Sequence, residues 1–172
     1  MEIGLCTFPT DASMRFPDLA VAAEERAFES IWVAEHSHIP ASRRTPFPAG
    51  GELPRMYYGA MDPFVTLASA ASVTRTLKLA TGVCLLIQRD PIQTAKQVAS
   101  LDQLSQGRFL FGIGGGWNAE EMENHGTRFD KRFQILRERV EAMKAIWTQE
   151  QAAYHGDFVD FDPIFAWPKP VQ

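Results

Sequence analysis

The chain is poor in cysteine, has no surplus of basic residues, and contains no apolar run that approaches a bilayer span of about 20 residues. Two cysteines in 172 residues, Cys6 and Cys84, leave no material for a disulfide framework. Both fall in apolar runs that read as strands, which predicts buried thiols in a reducing, cytoplasmic compartment. The net charge is −4, from 17 Lys and Arg against 21 Asp and Glu. That balance gives no footprint for a nucleic-acid backbone. The pairs Arg43–Arg44 and Lys131–Arg132 are too short for a membrane patch. Met1-Glu2-Ile3 runs straight into strand pattern, with no basic-then-apolar leader, and no solenoid period is present. What remains is ordinary globular composition, 45% hydrophobic and 22% charged, with a small molecule as the expected partner.

Short apolar runs alternate with helical periods along the whole chain. Ile3–Phe8 reads as a first strand, bounded by Pro9-Thr10-Asp11. Pro17–Ser30 reads as a helix with Leu19, Ala22, Ala23 and Ala27 at helical spacing. Ser30–Ala34 is a second strand, with Glu35-His36 at its carboxyl end. Asp62-Pro63 opens a helix through an acceptor cap and a proline in the first turn. Leu77–Val83 is a third strand, and Pro91–Ser105 a helix capped by Asp90. Arg108–Gly114 is a fourth strand, apolar on both faces as a covered parallel strand should be. Phe129–Thr148 is the longest helix, and its Phe133, Leu136, Val140, Met143 and Trp147 form a core stripe. Arg137 and Glu141 are spaced to pair on its wet face. The tail from Tyr154 shows no further strand-and-helix unit.

Four βα units in order imply right-handed crossovers and an α/β fold with a parallel sheet. Residues 1–172 form one unit, interrupted by the connection 37–60, which is rich in Pro, Gly and Arg. Ordinary βα loops run about 2–6 residues, so this one reads as a lid or pocket wall.

Candidate chemistry collects at the carboxyl ends of the strands. His36 ends the second strand, and an imidazole titrating near neutral pH can exchange a proton or donate a hydrogen bond. Its bland alternative is a structural bond to the long loop. Glu35 is placed to orient that imidazole or to cap a backbone amide. His36 and His38, with Glu35, also satisfy a metal-dependent hydrolase pattern. Thr81-Gly82-Val83 ends the third strand, where a glycine allows close backbone approach to a ligand or simply makes a turn. Gly112-Ile113-Gly114-Gly115-Gly116-Trp117 follows the fourth. Gly114-x-Gly116-x-x-Ala119 fits a dinucleotide fingerprint, but three units precede it and no strand ends in an acid about 20 residues on. A tight turn or a backbone wall for a flat ring suits the context better. Glu120 and Glu121 begin the next helical stretch, where carboxylates favour the helix dipole. Arg89 is placed to reach the mouth of the site. Asp102 and Arg108 flank a turn at the opposite face and read as a structural pair.

The stretches Ala22–Ser30, Trp32–His36, Thr81–Val83, Arg89–Pro91, Leu101–Arg108 and Gly112–Glu121 together resemble the bacterial luciferase-like superfamily, more narrowly its coenzyme F420-dependent branch. His155-Gly156-Asp157-Phe158 continues the likeness. The resemblance implies the N-terminal half of a (β/α)8 TIM barrel. It implies an oxidoreductase or monooxygenase using F420, with FMN as the alternative. By the same likeness His36 lies beside the cofactor ring. Thr81, Gly82, Val83, Gly115 and Gly116 shape the ring's site, with a non-proline cis peptide at Gly82–Val83. Glu120 fixes the loop or the ring's polar edge. Family members are about twice this length, so the expected partners include the remainder of a barrel or a second copy of the chain. An inactive half-barrel stays open beside the hydrolase.

Overall fold

The computed structural model describes residues 1–172 throughout. Four parallel strands, β1 (Gly4–Thr7), β2 (Ser30–Val33), β3 (Lys78–Thr81) and β4 (Phe109–Leu110), form one sheet in the order β1-β2-β3-β4. Ile31 stands level with Leu5 and Leu79, and Leu79 with Phe109. Helices α1 (Phe16–Glu25), α2 (Pro63–Ala71) and α3 (Pro91–Leu104) connect successive strands; α4 (Ala119–Asn124) and α5 (Arg132–Thr148) follow β4. This is the expected α/β half-barrel of four βα units.

Local chemistry explains the helix boundaries. The Asp62 carboxylate accepts from the amides of Phe64 and Val65 at 2.9 and 3.0 Å, and that of Asp90 from Gln93 at 2.7 Å. Both caps are followed by a proline that needs no donor. Helix α1 stops five residues before the expected end, because Ala27 turns to φ 57°, a left-handed conformation that ends a helix.

The core lies between the sheet and the helices. Ile31, Val33, Leu79 and Phe109 pack against Ala20 and Ala23 of α1, Leu67 and Ala70 of α2, Val98 and Leu101 of α3, and Met143 and Ile146 of α5. A fully buried Leu or Ile contributes about 1.5–3 kcal/mol. Small alanines let the helices approach the sheet closely.

Two expectations about the strands are corrected. β4 is only two residues long, not seven. A Cβ on Gly112 would lie 2.2 Å from the Thr81 carbonyl oxygen, so the two chains approach more closely than a regular ladder permits. Pairing resumes as a single bridge between Cys84 and Ile113. The tail holds no further strand-and-helix unit, as expected; its β5 (Ala152–His155) and β6 (Asp160–Ile164) form an antiparallel hairpin. The Glu138 carboxylate of α5 holds its turn by accepting from the amides of Asp157, Phe158 and Val159. Cys6 is exposed on the edge strand β1, whereas Cys84 is buried.

Asp102 and Arg108 do not pair with each other. Arg108 instead donates to the carbonyls of Ala71, Thr74, Leu77 and Ser105, tying the ends of α2 and α3 to β3. Asp102 accepts from the amide of Val171 at 2.6 Å and the side chain of Gln172 at 3.0 Å. At the same end, Glu24 accepts from the amides of Arg75, Thr76 and Leu77. Burial pushes the Glu24 carboxyl up, but those amides outweigh it and hold it at about 2.

A cavity of about 570 Å³ runs along β4 between α3 and α5, lined by Phe109, Phe111, Met143 and Trp147. It marks the unpaired flank of the sheet; His36, Val83 and Gly115 do not line it. No helix is long and apolar enough to cross a membrane.

Candidate active site

Beyond Val33 the chain leaves β2 and places Glu35 and His36, both buried, at the carboxyl end of the sheet. The two side chains have different partners. One Glu35 oxygen accepts from the Leu85 amide at 2.6 Å and the other from Arg89 Nε at 2.6 Å. Arg89 also pairs with Asp62 at 2.6 Å. Burial disfavours the Arg89 cation, yet Glu35 more than compensates and raises its pKa. Glu35 therefore braces β2 against the segment after β3 and does not orient His36. Arg89 is committed to two carboxylates and is not a free cation at the mouth. Burial first, and the Glu35 charge second, push the neighbouring Cys84 thiol well above its ordinary range.

The partner of the imidazole is Glu121, not the expected Glu35. His36 Nδ1 lies 2.7 Å from Glu121 Oε2, and the two side chains are 5% and 0% exposed. A carboxylate only accepts, so the pair fixes Nδ1–H and leaves Nε2 as the free acceptor. Nε2 makes no hydrogen bond within the chain and is not sealed off. The ring sits between Tyr57 and Trp117, with centroids at 5.3 and 5.7 Å.

Glu120, one residue earlier on α4, faces the long loop. Its carboxylate accepts from the Thr45 hydroxyl at 2.6 Å and from the amides of Arg44 and Thr45 at 3.0 and 3.3 Å. The Thr45 hydroxyl and these amides hold the Glu120 carboxyl at about 2. Adjacent helix positions point about 100° apart, so these two glutamates serve different segments. The loop's aromatics complete the wall: Phe47 packs on Tyr57 and Trp117 at 5.3 and 6.0 Å, and Arg43 lies 5.7 Å over Trp117.

The peptide Gly82–Val83 is cis, at the expected bond. Thr81 is fully buried and donates to the Gly112 carbonyl at 2.7 Å, so its hydroxyl braces β3 to β4. Val83, by contrast, is 40% exposed. A Cβ on Gly114 would meet Val83 Cγ2 at 2.6 Å, and one on Gly115 would meet the Phe133 ring at 2.8 Å. Val83, Gly114, Gly115 and Phe133 therefore form a continuous apolar strip with no side chain standing between them. Gly116 adopts φ 64°, which favours glycine, and returns the chain toward α4.

His38 does not join His36. Its ring lies 5.5 Å from that of His125, and its nitrogens contact Ser37 and Asn124. No group of three or more His, Cys, Asp or Glu is placed to hold a metal ion, so the hydrolase alternative has no ligand set.

This half-barrel, with a buried imidazole–carboxylate pair and a glycine-lined strip at its strand ends, matches the family "Luciferase-like monooxygenase" over residues 2–172, and the chain belongs to it. Among curated proteins it is 45% identical to the uncharacterized protein Rv0953c of Mycobacterium tuberculosis, over all of this chain and 62% of that protein. It is 26% identical to an F420-dependent glucose-6-phosphate dehydrogenase of Amycolatopsis mediterranei, over 90% of this chain and 44% of that enzyme. Among solved structures, the monooxygenase RslO1 from Streptomyces bottropensis aligns with a TM-score of 0.83 at 28% identity, over 100% of this chain and 50% of its own. The oxygenating constituent of 3,6-diketocamphane monooxygenase from Pseudomonas putida, in complex with FMN, aligns at 0.75 and 26%, over 94% and 43%. The chain thus spans between about two fifths and three fifths of the length of these proteins.

Proposed function

We propose that this chain carries one half of a site for a planar deazaflavin or flavin, with F420 the preferred cofactor and FMN the alternative, and serves oxidoreduction of a small organic substrate in the cytoplasm. The observation that carries the reading is the His36–Glu121 pair at the end of β2, opening toward the same sheet end as the Val83–Gly114–Gly115–Phe133 strip. The strip suits a flat ring: Val83 and Phe133, 40% and 62% exposed, present apolar surface and lie directly against the glycine backbone.

When bound, the cofactor supplies the hydride chemistry. The chain supplies position and a proton partner. Glu121 holds His36 in the tautomer whose Nε2 can accept a proton, and its charge stabilises the imidazolium that results. Gly82, Val83, Gly115 and Gly116 form the ring wall. Glu120, through Arg44 and Thr45, holds the long loop that closes the site and selects the substrate. Glu35 and Thr81 act from behind by fixing the ends of β2 and β3.

The test is a fluorescence and absorbance titration of the chain with F420 and with FMN. The expected result is weak binding, stronger for F420, retained within about twofold in His36→Ala and lost in Gly115→Trp, which fills the strip. Equal binding by the Gly115→Trp variant would overturn the proposal.

A further inference from the structure

The hydrogen bonds of Glu121 continue past His36 to the surface. Its second oxygen, Oε1, accepts from the Ser37 amide at 3.1 Å and lies 3.4 Å from the Ser37 hydroxyl. That hydroxyl is 2.7 Å from His125 Nε2 and 2.9 Å from His38 Nδ1. His125 and Ser37 are exposed, whereas the Glu121 side chain is 0% exposed. Within the chain, both Glu121 oxygens meet only His36 and Ser37. Apart from His36 itself, a proton on this carboxyl therefore has one polar route outward, through Ser37.

We propose that Glu121, Ser37 and His125 form a proton path between the buried His36 imidazole and solvent. The proposal rests on the reading of His36 as the site's proton partner. In the outward direction, a doubly protonated His36 breaks its Nδ1–H bond and forms an O–H bond on Glu121 Oε2. A half-turn of the carboxyl group about its Cγ–Cδ bond then carries the protonated oxygen round to face Ser37, and its proton passes to Ser37 Oγ as the Ser37 hydroxyl proton moves to His125 Nε2. His125 then releases its Nδ1 proton to water. One proton leaves His36 and one enters solvent; Glu121 and Ser37 regain their starting protonation, while His36 and His125 are each left as the Nε2–H tautomer and must revert to Nδ1–H before the next transfer. Inward transfer is the reverse.

Partial burial of the outer histidine favours release there. Burial and the nearby His38 lower the pKa of His125, against the opposing pull of Glu121 and Glu35, with Arg89 adding to the lowering. His38 is a side branch: its Nε2 is taken up by the Asn124 amide at 2.9 Å. Neither histidine is needed for folding in the way a core residue is, which makes the path separable from the fold.

The test needs no cofactor, so its failure is distinct from a failure of the binding titration above. In the 172-residue chain labelled with 15N-histidine, the exchange of the His36 Nδ1 proton with water is measured by magnetisation transfer. Ser37→Ala is expected to slow exchange about tenfold or more, leaving the chemical shift of the Glu121-bonded proton in place, because exchange then requires local opening. Ser37→Thr, which keeps the hydroxyl, should restore it, and His125→Phe at the surface should slow it without altering stability. Exchange unchanged in both Ser37→Ala and His125→Phe would overturn the path. If Ser37→Ala disturbs folding, His125→Phe alone decides, and unchanged exchange there also refutes the proposal.

Discussion

Replacing Glu35 with glutamine tests whether this carboxylate braces the sheet or serves the reaction. Its side chain is 5% exposed and accepts from the Leu85 amide and the Arg89 guanidinium. Glutamine keeps the shape but removes the charge, and its amide nitrogen faces a donor. Removing one partner of a buried pair costs about 3–5 kcal/mol when the other charge is left uncompensated. Arg89 retains Asp62, whose side chain is 41% exposed, so part of the charge stays neutralised. The expected loss is about 2–3 kcal/mol, or about 4–12 °C in Tm for a chain of this length. Urea unfolding followed by circular dichroism gives the difference. Arg89→Met alone should also destabilise. The double variant should be less destabilised than the two single losses added, with a coupling of about 1–2 kcal/mol. A Glu35→Gln variant within about 0.5 kcal/mol of the parent, with additive behaviour in the double variant, would refute the bracing role.

The two thiols should separate kinetically. Cys6 is exposed and Cys84 buried with its thiol pushed upward, so a thiol reagent in native buffer should modify one equivalent quickly and the second only on unfolding. Rapid loss of both would contradict the burial of Cys84. The long loop should follow Glu120. Its folded pKa, about 2, lies below the ordinary 4.5. The contribution is therefore complete above 4.5 and lost as pH falls through about 2. The amide signals of Arg44 and Thr45 should shift with a midpoint near that lower value. At neutral pH, Glu120→Gln should speed tryptic cleavage after Arg43 and Arg44, and equal cleavage of the two proteins would count against the anchor.

The sheet and the caps were legible because they rest on local chemistry. Apolar runs with flanking punctuation gave four strands, and Asp62-Pro63 and Asp90-Pro91 marked two helix starts. The position of His36 followed from strand counting, and the bond Gly82–Val83 from the resemblance. The pairing partners were not legible. Glu121 and Glu120 are both first-turn carboxylates, and sequence alone does not say which faces His36 and which faces the loop. The one available signal was register: Asn118 caps α4 without using its side chain, which puts Glu121 at the third position, where a glutamate ordinarily turns back toward its own cap. Here it reaches Ser37, 84 residues away. The β5–β6 hairpin had a local signal in Gly156-Asp157 between two strand-forming runs, but its stability comes from Glu138 on α5. Cys6 was misplaced because a strand at the flank of a sheet leaves one side uncovered, whatever its composition.

Six carboxylates, those of Glu24, Glu35, Glu120, Glu121, Glu138 and Asp102, each take up main-chain amides of another segment. The acidic surplus is therefore not surface decoration. It acts as mortar between an apolar sheet and the polypeptide draped around it. For the two whose carboxyls are held at about 2, Glu24 and Glu120, acidification through that value should free the turn before β3 and the long loop while the strands and their alanine-backed helices still hold together.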